Sequence, residues 1–250
     1  MLRKRADIVL VDRGFFLSRA KAREAIEAGL VLVDGKVLRK PAEIIEEDAD
    51  IAAEKPYPWV SRGGVKLAAA LDAFSIDPAG LVCVDIGASS GGFTHVLLER
   101  GAAWVYGVDV GQGQLDPRLS GREGLVSMEQ CDARSLTAES FRAPPQLAVF
   151  DVSFISLKLV FPSVLPLLAN DAALVALIKP QFEAGRDNVA KGVVRDPAMH
   201  DAVCADIRSF LEAAGWRVAG LMPSPIEGGD GNREFLITAM RGAPTLVKAV

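Results

Sequence analysis

The stretch L-V-C-V-D-I-G-A-S-S-G-G-F-T, Leu81 to Thr94, changes character after its sixth residue. Its first six residues are apolar apart from Asp85, which is typical of a buried strand. Three glycines follow within six residues, and a helical stretch begins at Phe93. A strand, a glycine-rich turn and a helix in this order predict one unit of a layered α/β sheet, with a ligand at the turn.

Strand-like and helix-like segments alternate from Trp59 onward. The predicted strands are L-V-C-V-D-I, W-V-Y-G-V-D, L-V-S-M-E-Q, Q-L-A-V-F-D, A-L-V-A-L-I-K, W-R-V-A-G-L and E-F-L-I-T-A-M. The predicted helices include Val65–Phe74, Phe93–Arg100, Leu157–Leu168 and Pro197–Ala214. This alternation predicts a Rossmann-like, doubly wound and mostly parallel sheet that binds ligands at the carboxyl ends of its strands. The last two strands follow each other without a helix, which favours one antiparallel strand.

The N-terminal part of the chain predicts a separate small α/β module. Ser18 can cap a helix that runs through Ala28. The segment L-V-L-V-D-G-K-V-L then predicts two strands around an Asp-Gly turn. The sequence P-Y-P, residues 56–58, predicts a stiff linker. We therefore expect an N-terminal domain at residues 1–54, a linker at 55–61 and a second domain at 62–243.

Charge is distributed unevenly along a chain whose net charge is -4. Residues 1–40 contain ten Lys or Arg and five Asp or Glu, whereas residues 41–54 contain six acids and no base. Arg19, Lys21 and Arg23 crowd the start of the helix after Ser18, where the helix dipole disfavours cations. An external anion such as a phosphate would explain them, and a merely solvated basic face is the alternative.

Cysteines and histidines are few and scattered, at Cys83, Cys131, Cys204, His95 and His200. Their spacing argues against a zinc site and against a disulfide framework, so we predict no metal and a reducing cytoplasm. Asp12 interrupts the apolar run after the basic N-terminus, which argues against a signal peptide. Prolines divide the apolar stretch from Leu159 to Ile178, so no membrane span is expected.

An acidic residue stands at the end of each of the first three predicted strands of the larger sheet. The loop after Asp85 matches neither the dinucleotide fingerprint nor a P-loop. Asp109 is expected to accept from ribose hydroxyls, and Asp132 from an adenine amino group. S-adenosylmethionine carries a ribose, an adenine and an amino-acid head but no phosphate, so this set favours it. Ordinary strand-end turns are the alternative. The predicted cofactor-binding residues are Asp85, Gly87, Ala88, Ser89, Gly91, Gly92, Phe93, Asp109 and Asp132.

Four charged residues border apolar segments of the same predicted domain. Lys66 lies on the helix before the first strand, and Asp151 ends the fourth strand. Lys179 ends A-L-V-A-L-I-K, and Glu234 begins the final strand. All four can converge at one edge of the sheet. Three of them also have a plain alternative, because Lys179 can extend along apolar surface into water, and Lys66 and Glu234 can lie on an exposed helix face or strand edge.

The motifs K…D-I-G-A-S-S-G-G-F…D-V-S-F-I-S-L…I-K-P-Q-F-E…G-N-R-E-F-L together resemble those of the FtsJ-like ribose methyltransferases. Residues 3–52, with the core S-R-A-K-A-R-E-A-I-E-A-G-L-V-L-V-D-G-K, resemble the RNA-binding module first recognised in the fourth small-subunit ribosomal protein. The combination is similar to the TlyA-type, or hemolysin A, branch over about residues 3–240. Ser90 stands where the general FtsJ-like loop often carries a proline.

The resemblance implies an S-adenosylmethionine-dependent enzyme that methylates a ribose 2′-hydroxyl, of cytidine, in ribosomal RNA within ribosomal subunits. It implies a catalytic tetrad of Lys66, Asp151, Lys179 and Glu234, and RNA contacts by Arg19, Lys21, Arg23 and Lys36. A neutral Lys179 would take the hydroxyl proton, or Lys179 would only orient the hydroxyl and stabilise its developing charge. The loop Gln181–Arg195, with Arg186 and Lys191, closes over RNA or is a plain surface loop.

The target nucleotide, the ribosomal subunit and the oligomeric state stay open at this point. A non-catalytic ribosome-binding or assembly protein is one alternative, which the intact tetrad and cofactor loop disfavour. A membrane-damaging hemolysin is another, which the lack of a recognisable secretion signal or membrane segment disfavours.

Overall fold

The computed structural model of the protein describes residues 2–185, 189, 192–228 and 231–242. Residues through Pro58 form one compact unit, and those from Trp59 onward form a second. The expected bounds at 1–54, 55–61 and 62–243 stay a prediction. Arg186 and Lys191 of the expected RNA-facing loop lie outside the described residues, as does residue 243.

The first unit combines short helices and strands. Its elements are β1 (Arg3–Arg5), α1 (Ala6–Asp12), α2 (Arg19–Glu27), β2 (Val31–Val33), β3 (Lys36–Val37), β4 (Ile44–Glu46) and β5 (Ile51–Ala53). β1 pairs with β4, and β2 lies between β3 and β5, all antiparallel. Asp34 and Gly35 have φ values of 50° and 74°, which a two-residue type I′ hairpin turn requires. The predicted hairpin is therefore confirmed.

The predicted helix of this unit is also confirmed. Ser18 caps α2, since its hydroxyl accepts a hydrogen bond from the Lys21 N–H at 3.4 Å. The small and branched residues Ala22, Ala25 and Ile26 are at most 1% exposed. Their i, i+3, i+4 spacing places them on one face of the helix, against the core.

The second unit is built around a seven-stranded sheet in the order β11-β12-β10-β9-β6-β7-β8. Its helices and strands are α3 (Gly63–Ala73), β6 (Val82–Ile86), α4 (Gly92–Glu99), β7 (Trp104–Val108), β8 (Leu125–Met128), β9 (Leu147–Phe150), α5 (Leu157–Val164), β10 (Ala173–Ile178), α6 (Pro180–Glu183), α7 (Pro197–Ala213), β11 (Arg217–Pro223) and β12 (Phe235–Met240). Neighbours among β6 to β10 are parallel, whereas β12 is antiparallel to β10 and β11. The predicted sheet, with an antiparallel strand near its end, is confirmed.

Two helix bounds differ from the sequence prediction by more than one residue. The helix expected at Leu157–Leu168 ends at Val164, and a 3-10 turn spans Leu165–Leu167. Pro166 accounts for this, because a proline lacks the N–H that an α-helix interior uses. α3 begins at Gly63, two residues before its expected start.

The strand β10 is buried on both faces, which explains its unbroken apolar sequence. Leu174, Ala176 and Ile178 face one hydrophobic cluster, to which α5 and α7 contribute. The alternate residues Val175 and Leu177 face a second cluster, to which α3 and α4 contribute. Burying a Leu or Val side chain contributes about 1.5–3 kcal/mol, so this strand is a rigid support for the residue that follows it.

Candidate active site

Strand register brings the predicted tetrad positions to one edge of the sheet. Ile178 at the end of β10 pairs with Phe235 at the start of β12. The next residues outward on these neighbouring strands are Lys179 and Glu234. Asp151 follows β9, which is parallel to β10 on its other side.

The two lysines each pair with a carboxylate. Lys66, on α3, makes an ion pair with Glu234, and their side chains are only 10% and 3% exposed. Lys179 Nζ lies 2.7 Å from Asp151 Oδ1, and these side chains are 11% and 22% exposed. The same Nζ donates a hydrogen bond to Ser153 Oγ at 2.8 Å. The structure thus places all four residues in lysine–carboxylate pairs, while their catalytic role stays a prediction.

A cleft of about 470 Å³ opens beside the second pair, at the carboxyl ends of β6 to β9. This volume lies within the range of about 300–1,000 Å³ that is usual for small-molecule sites. The predicted residues that line it are Gly87, Ser89, Asp109, Asp132 and Asp151. Lining residues that sequence reasoning missed include Gln114, Arg134, Ser153 and Phe154.

The glycine loop needs its glycines because it packs directly on neighbouring backbone and side chains. Gly87 has φ +86°, and a Cβ there would lie 2.6 Å from the Asp151 carbonyl oxygen. Gly91 has φ +87°, and its Cβ would lie 2.3 Å from Leu119 Cδ1. Both positions require left-handed backbone and close approach, which only glycine combines without strain.

Asp85 lies beneath this loop, away from the cleft lining, and is fully buried. Its Oδ2 accepts a hydrogen bond from Thr94 Oγ1 at 2.6 Å, which connects β6 to α4. Its Oδ1 has no hydrogen-bond partner among the described residues. Burial raises the pKa of Asp85 to about 7. Other predicted cofactor residues that are buried and outside the lining are Ala88, Gly91, Gly92 and Phe93.

Asp109 holds two loops of the cleft together. Its Oδ2 accepts from the Ser89 N–H at 2.8 Å, and its Oδ1 accepts from the Gly111 N–H at 2.7 Å. Each carboxylate oxygen has two acceptor positions, so Asp109 can still accept from a ligand hydroxyl. Gln114 adds a third link, since Ser89 Oγ donates to its Oε1 at 3.1 Å.

Asp132 is already engaged by a neighbouring cation. Arg134 donates to both of its carboxylate oxygens, with Nη2 2.6 Å from Oδ2. These hydrogen bonds lower the pKa of Asp132 to about 2. An adenine amino group would therefore compete with Arg134, and the predicted adenine contact stays a prediction.

Glu129 shapes the wall that carries Gln114, and sequence reasoning missed it. Its carboxylate accepts the backbone N–H groups of Gly113 at 2.7 Å, Gln114 at 3.0 Å and Leu115 at 3.3 Å. These backbone bonds lower the pKa of Glu129. The sequence signal was the glycine-rich G-Q-G-Q-L, residues 111–115, which needs a partner for its free N–H groups.

In the N-terminal unit, the predicted RNA contact Arg19 has an internal partner. Its Nη2 lies 2.8 Å from Oδ2 of Asp7, which is fully buried and also pairs with Arg5. Hydrogen bonds, first from Arg5 and then from Arg19, lower the pKa of Asp7 to about 2. An internal carboxylate therefore accounts for one of the cations at the start of α2. Arg23 and Lys36 are exposed, and Lys21 is half-buried.

Within the described ranges, no group of His, Cys, Asp and Glu residues is arranged to hold a metal ion. No helix in that same part of the chain is both long and apolar enough to cross a membrane.

Comparisons with known proteins agree with this arrangement. The model of the FtsJ-like methyltransferase family matches residues 59–241, and the S4 domain model matches residues 4–51. A candidate rRNA methyltransferase of Bacillus subtilis, YqxC, is 44% identical over 238 residues, which are 94% of this chain and 85% of that protein. The 16S/23S rRNA (cytidine-2′-O)-methyltransferase TlyA of Mycobacterium tuberculosis is 42% identical over 94% of this chain and 89% of its own length.

The fold comparison leads to the same group of proteins. A solved structure of a candidate hemolysin from Streptococcus thermophilus superposes with a TM-score of 0.77 at 38% identity. It covers 100% of this chain and 92% of its own. Together with the TlyA relative, these matches show that the chain belongs to the FtsJ-like methyltransferase family, in its TlyA-type branch with an N-terminal S4 domain.

Proposed function

We propose that this protein transfers a methyl group from S-adenosylmethionine to the 2′-hydroxyl of a cytidine ribose in ribosomal RNA. The observation that carries the proposal is the ion pair between Lys179 and Asp151, because Asp151 lines the cleft. It lies one strand away from a second lysine–carboxylate pair, Lys66–Glu234. The named activity of the TlyA relative supports the same reaction.

The cleft residues suit S-adenosylmethionine. This cofactor supplies an electrophilic methyl group on a sulfonium ion when it is bound. Asp109 retains acceptor positions for ribose hydroxyls, and Gly87 and Ser89 present backbone at the start of the cleft. The glycine turn lies directly against the Asp151 main chain, because no side chain fits at Gly87, and this keeps the turn next to the ion-paired carboxylate.

Lys179 is the residue that we assign to the ribose 2′-oxygen. An alcohol is a weak nucleophile that must lose its proton as it attacks, and a general base contributes about 10²–10⁴-fold to such steps. Lys179 either takes that proton as a neutral amine or, as an ammonium, stabilises the charge that develops on the oxygen. Asp151 and Ser153 hold its Nζ in place in both cases.

The Lys66–Glu234 pair would have a structural and electrostatic role, without direct contact with the reacting group. Both side chains are almost fully withdrawn from water, so the pair keeps a fixed charge arrangement next to Lys179. The N-terminal unit would supply RNA affinity through exposed cations such as Arg23 and Lys36. Such contacts to phosphates position an RNA without reading its sequence.

The test uses the resistance of 2′-O-methylated RNA to alkali. Ribosomal subunits from a strain without the endogenous modification are incubated with the protein and S-adenosylmethionine, and alkali-resistant positions are mapped. We expect a new resistant cytidine in at least one subunit RNA, absent with the Lys179→Ala variant. If wild-type protein produces no new resistant position in either subunit, the proposed function is wrong.

A further inference from the structure

The segment directly after Lys179 is fastened to the loop that carries its partners. β10 ends at Ile178, and α6 is a single turn from Pro180 to Glu183. The partner loop runs from Asp151, at the end of β9, to Ser156, which precedes α5. Lys179 bridges the two segments at one end, through Asp151 and Ser153.

Glu183 bridges them at the other end. Ser156 Oγ donates a hydrogen bond to its Oε2 at 2.5 Å, and the Leu157 N–H donates to its Oε1 at 2.8 Å. Ser156 Oγ also accepts from the Lys158 N–H at 3.2 Å, so it caps α5 at the same time. Between the two bridges, the rings of Phe154 and Phe182 lie 5.1 Å apart.

We propose that Glu183 is a positioning residue, which anchors α6 to the start of α5 and thereby holds Lys179 Nζ between Asp151 and Ser153. The proposal deepens the function proposed above and rests on it. Glu183 does not touch the cleft in this role; it acts on the reaction through Lys179.

Chain geometry explains why such an anchor is needed. Lys179 stands beyond the last sheet pairing of β10, with extended backbone at φ -113° and ψ 99°. Its side chain has four rotatable carbons and reaches its partners only if the backbone stays in place. Glu183 is the fourth residue after Lys179 and the last residue of α6, so it fixes the end of this single turn that is farther from Lys179.

The environment of Glu183 agrees with an anchoring carboxylate. Burial raises its pKa, while the bonds from Ser156 and Leu157 oppose that rise. A carboxylate that faces the first N–H groups of a helix is also favoured by the helix dipole. The nearby cation Lys158, in the first turn of α5, instead pairs with Asp206 of α7. Lys158 is therefore a matched control for the loss of a charged side chain at this junction.

The experiment compares Glu183→Ala, Glu183→Gln and Lys158→Ala with wild type. Single-turnover methyl transfer is measured with saturating cofactor and ribosomal subunits, together with cofactor affinity. We expect Glu183→Ala to slow transfer about 10–100-fold, since a misplacement of about 1 Å can have that effect, while cofactor affinity stays within about twofold. Glu183→Gln restores most of the rate, because its amide can accept from Leu157 and donate to Ser156. Lys158→Ala behaves like wild type.

A second readout does not depend on activity. Acylation of Lys179 by acetic anhydride is followed by mass spectrometry, with the exposed Lys36 as the internal reference. Glu183→Ala should speed the acylation of Lys179 several-fold, and Ser156→Ala should do so more weakly. If Glu183→Ala does not fold, Ser156→Ala decides the matter by both readouts.

Two results would overturn the proposal. One is a Glu183→Ala variant whose transfer rate and Lys179 acylation equal those of Lys158→Ala. The other is a loss of cofactor affinity that accounts for the whole loss of rate, since that indicates a general structural role. If wild-type protein transfers no methyl group, the proposed function fails, and the acylation rates alone still decide whether Glu183 positions Lys179.

Discussion

Two lysine–carboxylate pairs stand at the same edge of the sheet, and they differ in their surroundings. Lys66 and Glu234 are both at most 10% exposed, and each is the other's ion-pair partner. Lys179 has two partners, and one of them, Asp151, is 22% exposed and lines the cleft. Removing one member of a buried pair leaves a buried charge and costs about 3–5 kcal/mol. A pair that borders a cleft can exchange partners with water or a ligand.

The same residue types therefore have two different roles in these pairs. The buried pair is suited to hold structure and charge, whereas the cleft pair is suited to act on a bound group. Substitutions should therefore separate stability from activity, with the buried pair affecting both and the cleft pair affecting mainly activity.

The largest effect is expected for the cleft pair. Lys179→Ala should lower single-turnover methyl transfer at least about 10³-fold, since acid–base and charge-stabilising groups contribute on this scale. Cofactor affinity, measured by calorimetry, should survive, and the urea midpoint should change little because Asp151 becomes hydrated. Undiminished transfer would remove Lys179 from the chemistry.

Lys179→Arg separates the two possible roles of Lys179, as a base and as a charge-stabilising group. A guanidinium stays protonated in proteins, so it can stabilise charge but cannot accept the hydroxyl proton. If Lys179 is the base, the arginine variant is as slow as the alanine variant. If Lys179 only stabilises charge, the arginine variant keeps a rate well above that of alanine.

The buried pair should respond with a loss of stability. Glu234→Ala should lower the free energy of unfolding of the second unit by about 3 kcal/mol, because Lys66 would be left buried without its carboxylate. Urea unfolding followed by tryptophan fluorescence measures this. The matched variant Asp151→Ala should cost about 1 kcal/mol or less, and equal losses for the two would refute the distinction.

Sequence reasoning reached the sheet and the loop because these follow from periodicity, glycine placement and strand ends, whereas the tetrad was implied by the family resemblance. The antiparallel β12 was expected from the missing helix before it, and its pairing with β10 puts Glu234 next to Lys179. Sequence reasoning could not find Ser153 or Glu183 as partners, because their bonds depend on how α5 and α6 meet. The sequence also could not predict that Asp85 is buried away from the cleft, because an acid at a strand end can face either the cleft or the core.

Asp85 extends the comparison to a buried carboxylate that has a hydroxyl partner instead of a lysine. Its folded-state pKa is about 7, against an ordinary value of 3.8, so between these pH values the folded protein keeps a proton that the unfolded chain releases. Stability should therefore fall as pH rises from about 4 to 7, by at most about 1.4 kcal/mol per pH unit from this group. The difference between wild type and Asp85→Asn in urea unfolding at a series of pH values isolates it. A pH-independent difference would contradict this assignment.

The smallest effects are expected in the N-terminal unit, where two arginines of one helix differ in the same way as the two pairs. Arg19 neutralises the buried Asp7, and Arg5 remains as a second cation if Arg19 is removed. Arg19→Ala should therefore lower the urea midpoint of this unit slightly, as well as weakening RNA binding. Arg23→Ala should leave the midpoint unchanged and reduce the salt dependence of RNA binding by about one phosphate contact. Fluorescence anisotropy over a salt series measures that slope. Because Arg23 is exposed on the same helix, an unchanged slope would mean that this face of α2 is only solvated, and the RNA contacts would then have to come from other cations of the unit.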